Sequence, residues 1–438
     1  MPESRDERDE VLITGGRVVD ATGERAADVR IRDGFVAEVG ADLDAGPDAV
    51  VLDAAGCVVA PGLVDLHVHL REPGNEEAET IESGTRAAAL GGFTAVVAMP
   101  NTEPPLDEAA VVASVLAAGA RATCDVAVAG CITKGRAGIE LAPMGELHAL
   151  GVRIFTDDGS CVASAAVMRR ALEYARSLPG AVLAQHAEDP TLAGGGHMHE
   201  GAWSSRLGIP GRPAAAESII VARDVALAEL TGAPIHVLHL STGAAVALVR
   251  DAKARGLAVT AEAAPHHFTL TDAECAGFDP LYKVHPPLRT DADIEAIKQG
   301  LADGTIDAIA TDHAPHAPEA KERPFEEAPP GMLGLETALA LTLSELVAPG
   351  TITLAQAFAL LSWQPAAIAG LGEHGGPIAP GRPANVCVVD LDAAWEVDPA
   401  RLASRSRNTP YAGRKLEGRV RHTVLRGEPV VVDGMVQR

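Results

Sequence analysis

His67 and His69, in the segment GLVDLHVHLREPG, stand two residues apart, a spacing that on a β-strand points both imidazoles to one side. So placed, they suit two ligands of one metal ion. Alone, an HxH pair is better explained as two hydrogen-bonded core histidines. The rest of the chain repeats the theme, however. Asp157 and Asp158 follow GVRIFT, His186 follows GAVLAQ, His239 follows PIHVL and Asp312 follows IDAIAT. Apolar strands do not end in potential ligands by habit. Imidazole and carboxylate donors suit Zn²⁺, and a set this large exceeds one tetrahedral ion. Two metals sharing a bridging carboxylate would account for all of it. Metal coordination lowers the pKa of water from about 16 towards 7, giving a nucleophile near neutral pH. Asp312 is then the candidate both to ligate a metal and to shuttle the proton.

Other histidines are set aside. His236 lies three residues before His239 and is expected on the opposite side of that strand. His266 and His267 follow a strand and read as loop or supporting residues. His197 and His199, in GGGHMHEG, have no strand before them and read as exposed loop.

What must position these groups is an alternation of strand and helix signals. CVVAPGLVDLHVHL is nearly continuous in apolar residues, as a strand buried on both faces should be. EEAETIESGTRAAALGG reads as a helix ending at Gly91 and Gly92. FTAVVAMPNT, CDVAVAGCIT, GVRIFTDDG, GAVLAQHAED, PIHVLHLST, LAVTAEAAPHHFTL and TIDAIATDHAPH continue the series, with ASAAVMRRALEYARSL and AAAESIIVARDVALAELTG among the helical stretches between them. Eight strands in βα alternation predict a (β/α)8 TIM-like barrel over residues 61–375, whose active groups gather at the C-terminal strand ends. Residues 200–213 and 314–333 read as loops at that face. Short β segments at both ends predict one small β-sandwich domain, built discontinuously from residues 1–60 and 376–438.

Composition narrows the class further. The 438-residue chain is 47% hydrophobic and only 3% aromatic, and its formal net charge is -24. Such an acidic surface disfavours nucleic acid and anionic membrane as partners. Cys57, Cys124, Cys131, Cys161, Cys275 and Cys387 lack CxxC spacing and read as small buried residues in a reducing compartment. No signal-peptide pattern or span of roughly 20 apolar residues is present, so a cytoplasmic location is expected. The first ten residues are expected to fray.

APGLVDLHVHLREPG, GGFTAVVAMPNTEPP, FTDDGS, AQHAED, HVLHLST, TAEAAPHHF, KVHPPLR, DGTIDAIATDHAPH and GMLGLET together resemble, in order and over nearly the whole chain, the bacterial class I dihydroorotases of the amidohydrolase superfamily. HxHLREPG with ATDHAPH is the strong part of that signature. The resemblance implies two Zn²⁺ per subunit: His67, His69 and Asp312 on one, His186 and His239 on the other, and Asp158 bridging. Hydantoinase-like and allantoinase-like relatives bridge with a carboxylated lysine, which this strand end lacks. Also implied is reversible cyclisation of N-carbamoyl-L-aspartate to L-dihydroorotate in pyrimidine (UMP) synthesis, with Asp312 passing a proton to the leaving amide nitrogen.

Arg71, Asn101 and His316 would bind the substrate carboxylate, a role that suits the planar guanidinium of Arg71. Pro330 and Gly331 would offer main-chain contacts, and His69 would border the same pocket. One departure stands out: His285 replaces the asparagine of the family pattern KxNPPLR. An imidazole cannot reproduce an amide's donor and acceptor set, although an ionisable group there could favour an anionic substrate at lower pH. Two competing readings are a hydantoinase-like cyclic amidase and a non-catalytic subunit scaffolding aspartate transcarbamoylase. The family also often forms homo-oligomers or complexes with that transferase.

Overall fold

The computed structural model describes residues 10–437. Its centre is a ring of eight strands, Leu63–Val68, Phe93–Ala98, Asp125–Val128, Ile154–Phe155, Val182–Gln185, Ile235–Val237, Val259–Ala263 and Ala308–Ile309. They pair in parallel as a run of three and a run of five. Bridges between Gly130 and Phe155 and between Val68 and His313 join the two runs and close the ring. All six residues of both Leu63–Val68 and Phe93–Ala98 are buried, as strands covered on both faces must be. Small side chains, Ala129, Ala184, Ala308 and Ala310, share the narrow interior with Leu66, Val97 and Leu238.

The helices begin and end where local chemistry dictates. Thr80 caps Ile81–Leu90 by accepting from the Ser83 backbone N–H, in a reciprocal capping box, and Gly91 closes the helix. Residues 76–79, included in the expected helix, therefore lie outside it: the cap satisfies the first-turn donors at residue 80. Gly92, at φ +87°, then turns the chain into the second barrel strand. Helices Ala165–Ala175 and Ala215–Thr231 occupy the expected stretches.

Both chain ends build one seven-stranded sheet. Val386–Glu396 pairs antiparallel with Val58–Pro61, Cys387 opposite Ala60, and Lys415–Leu425 extends the sheet on the other side of it. A four-stranded sheet that includes Glu10–Thr14 and Asp28–Arg32 packs against it. Ile13, Val29, Ile31, Leu52, Val59, Val388 and Val424 fill the space between. Most of the segment expected to fray lies outside the described residues. Glu10 itself opens a strand, and its carboxylate binds Arg30 and Arg32.

The 200–213 region is not a bare loop. It holds the helix Ala202–Leu207, and Gly211–Arg212 pairs with Met198–His199. His199, expected to be exposed, is buried, with Nδ1 3.2 Å from the Arg289 guanidinium. A two-residue pairing leaves too little periodicity to read from sequence. The cysteines are all free, and all but the half-buried Cys161 are buried. Among the described residues no helix is long and apolar enough to cross a membrane.

Candidate active site

Six side chains converge where the barrel strands end. The two oxygens of Asp158 face different pairs of imidazoles. Oδ2 lies 3.4 Å from His67 Nε2 and 3.5 Å from His69 Nε2, while Oδ1 lies 3.4 Å from both His186 Nδ1 and His239 Nε2. Asp312 Oδ1 approaches His69 Nε2 at 3.2 Å and His67 Nε2 at 3.6 Å. Among the described residues, two groups of donors lie close enough to hold an ion: His67, His69 and Asp312, and His67, Asp158 and His239. His186 Nδ1 adjoins the second group, 2.9 Å from His239 Nε2.

The residues fit a cation on their own chemistry. His67 Nδ1 lies 2.8 Å from Glu262 Oε1; its proton donated there leaves the Nε2 lone pair facing two carboxylates. That Nε2 is buried and has no hydrogen-bond partner, as is true of Asp158 Oδ1. Burial alone would lower the pKa of His67, yet Asp158, Glu262 and Asp312 together drive it well above its ordinary value. The centre therefore demands positive charge. Burial likewise pushes the Asp312 carboxyl up, but the hydrogen bond to His69 and the neighbouring His67 and His239 overcome it and hold the group well below the usual range.

Beneath this layer lies another that sequence reasoning missed. Glu262 reaches from the seventh strand to His67 with one oxygen and, at 3.1 Å, to His236 Nε2 with the other. His236 thus faces the barrel interior, not the opposite side as expected. Its strand ends at Val237, and His239 lies beyond it at φ +29°, so two-residue alternation does not carry across the break. The signal for Glu262 was a lone carboxylate within the apolar run VTAEA. Asp157 turns away and accepts from the backbone N–H groups of Ile132 and Thr133. His266 and His267 are buried, and His266 Nε2 lies 3.9 Å from Asp312 Oδ2.

The remaining candidates rim the cluster. Asn101 Oδ1 lies 2.8 Å from His69 Nδ1. Arg71, at φ +61°, donates from Nε to the Pro315 carbonyl at 3.0 Å, with its fork 3.5 Å from His316 Nε2. Burial lowers the Arg71 pKa to about 10, which leaves it charged at neutral pH. His316 Nε2 donates to the Pro330 carbonyl at 2.8 Å, and burial and Arg71 push its pKa down to about 3. His285 is half-buried, and its Nε2 is buried with no hydrogen-bond partner. Burial and Arg212 push it well below its ordinary value, which removes the expectation of a charged imidazole assisting at mildly low pH. Arg136 also escaped the sequence: it donates to the Asp158 carbonyl at 2.8 Å and so fixes the backbone behind the central carboxylate.

A closed parallel barrel with imidazoles and carboxylates converging at its strand ends defines an amidohydrolase-type enzyme. Comparison with known proteins narrows the class. The family described as "Dihydro-orotase-like" matches residues 56–245, and "Amidohydrolase family" matches residues 260–431. The dihydroorotase of Pelotomaculum thermopropionicum is 50% identical over 98% of this chain and 100% of its own. That of Streptomyces coelicolor is 50% identical over 97% and 98%. Among solved structures, an L-hydantoinase (dihydropyrimidinase) from Arthrobacter aurescens superposes with a TM-score of 0.87 at 26% identity, covering 98% of this chain and 97% of its own. A dihydropyrimidinase from Brevibacillus agri gives 0.85 at 25%, covering 98% and 96%. The chain belongs to the dihydroorotase family of amidohydrolases.

Proposed function

We propose that this protein interconverts N-carbamoyl-L-aspartate and L-dihydroorotate, a cyclic amide step of pyrimidine synthesis. The observation that carries the reading is the 2.8 Å contact between Asn101 and His69. It builds the carboxylate-recognising rim of Arg71, Asn101 and His316 directly onto the metal-ligand cluster. Two Zn²⁺ are assigned: His67, His69 and Asp312 would hold one, His186 and His239 the other, and Asp158, with one oxygen toward each pair, would bridge. Metal ions bound there would polarise the amide carbonyl and lower the pKa of water.

The chain's own groups do the rest. Arg71 pairs with the substrate carboxylate through its planar fork, while Asn101 and His316 fix its orientation. Pro330 and Gly331 contribute main-chain contacts, and His285 lines the same pocket. Asp312, held ionised, accepts a proton from the attacking water during ring opening and delivers it to the departing nitrogen; in cyclisation it takes the proton from that nitrogen and passes it to the oxygen that leaves as water. The 314–333 segment excludes water from the closed site. A cytoplasmic homo-oligomer able to associate with aspartate transcarbamoylase is the assembly assigned.

The structural likeness to hydantoinases favours a second reading, a hydantoinase-like amidase. Asp158 stands against it, because that reading calls for a carboxylated lysine at the bridging position. A non-catalytic scaffold would have no need for six convergent ligands. Hydrolysis of L-dihydroorotate should be abolished by chelation and restored by Zn²⁺, with a hydantoin untouched. Turnover of the hydantoin in preference, or no turnover with two metals bound, would refute the assignment.

A further inference from the structure

We propose that Asn408, far along the chain from every group assigned above, is a positioning residue that fixes the substrate-binding loop through its side-chain amide. The inference rests on the reading of His316 and Gly331 as substrate contacts.

Asn408 is buried in the stretch that precedes the strand Lys415–Leu425. Its Nδ2 donates to the carbonyls of Ala314, at 3.0 Å, and Gly331, at 3.1 Å. Its Oδ1 accepts from the backbone N–H of His316 at 3.1 Å. One N–H donor and two carbonyl acceptors admit a single orientation of the amide, and no other uncharged side chain of that size offers two donors and an acceptor. The Asn408 carbonyl in turn accepts from the Leu333 N–H at 3.1 Å. One residue thus holds both ends of the 314–333 loop, at the points where His316 leaves it and Gly331 returns.

Asn408 is itself firmly seated. Ser404 binds Glu79, the Arg405 N–H donates to Glu79 at 2.9 Å, Ser406 donates to the Ala78 carbonyl at 2.6 Å, and the Tyr411 hydroxyl lies 2.8 Å from the Thr269 hydroxyl. Glu79 also lies 3.3 Å from His313, the neighbour of Asp312. The loop is therefore referenced to a frame outside itself. Gly331, at φ +137°, leaves little slack: a Cβ there would lie 2.8 to 2.9 Å from Ala314 and His316 atoms.

A residue that merely stabilised the fold would change kcat, KM and metal content without preference. One that places His316 and Gly331 should act on substrate binding. The test compares Asn408→Ala with Asn408→Asp, which keeps volume and the acceptor for His316 but turns a carboxylate oxygen toward two carbonyls. Arg405→Ala, which removes an exposed side chain from the same segment and keeps its backbone bond to Glu79, serves as control. Kinetics with L-dihydroorotate, metal content and hydrogen exchange across 314–333 are measured on the metal-loaded full chain. Both Asn408 variants should raise KM by about tenfold or more, as loss of a buried hydrogen bond would, with kcat and metal content little changed and exchange in the loop accelerated. The control should match wild type. Wild-type KM and loop protection in Asn408→Asp would overturn the proposal even if Asn408→Ala failed to fold. Wild-type protein that does not process dihydroorotate would instead overturn the functional reading, and this inference with it.

Discussion

At the scale of single residues, the least expected group is Glu262. Its carboxylate joins His67 to His236, and although burial raises its pKa, the two imidazoles hold it near 2. A fixed negative charge behind His67 sets which ring nitrogen carries the proton and makes the free one a better donor. Glu262→Gln preserves size, removes the charge and turns one of the two acceptor oxygens into a donor. Metal affinity, read by competition with a chelator, should fall roughly 10- to 100-fold; unchanged affinity would show that the contact only packs. The candidate ligands were legible because each is a polar residue at or just past the end of an apolar strand. Glu262 lies inside a strand, where the same pattern reads as a satisfied buried acid. His236 was misplaced because alternation was counted through residue 238, past the strand's end at Val237.

Whole elements were legible in proportion to their length. Leu63–Val68 and Phe93–Ala98 are six-residue buried strands, and Ala215–Thr231 is a 17-residue helix. The Met198–His199 pairing was invisible, and so was the internal structure of the 314–333 segment. Two buried lysines hold that segment down. Lys321 Nζ donates to the carbonyls of Pro280 and Pro329, and Lys283 Nζ to those of Phe325 and Glu326, all at 2.9 Å. Burial, reinforced by Lys283, pushes the Lys321 amine down to about 7. A neutral amine still carries two N–H groups, enough for its two carbonyls. Between that value and the ordinary lysine range near 10.5, the unfolded chain binds the extra proton, so stability rises with pH. From pH 7 to 8.5, wild type should gain on Lys321→Met by up to about 1 kcal/mol per pH unit in denaturant titrations. Parallel profiles would mean that Lys321 is charged in the folded protein.

For the molecule as a whole, the question is whether the barrel and the sheet built from the chain ends are separate folding units. Sequence showed β signals at both ends but not that they pair, because pairing between residues more than 300 positions apart leaves no local pattern. The structure joins them tightly. Val58–Pro61 of the end sheet is separated from Leu63–Val68, the strand that carries His67, by Gly62 alone, whose N–H donates to the Asn385 carbonyl at 2.9 Å. A Cβ at residue 62 would strike Thr94 at 2.2 Å, so the two units approach as closely as a glycine permits. One apolar cluster runs through both, uniting Val58, Ala60, Cys387, Val389 and Val420 with Leu63, Phe93 and Val96. Opening the end sheet would therefore expose the barrel's own core and release the strand that positions His67 and His69. The metal-free protein should unfold in a single calorimetric transition, with calorimetric and van't Hoff enthalpies in agreement. Because the candidate ligand set exists only in the folded state, adding Zn²⁺ should move that transition upward as one, stabilising the fold by about 2.7 kcal/mol per bound ion at a hundredfold excess over the dissociation constant. Two resolved transitions, with only the later one responding to metal, would show that the end sheet melts independently of the site.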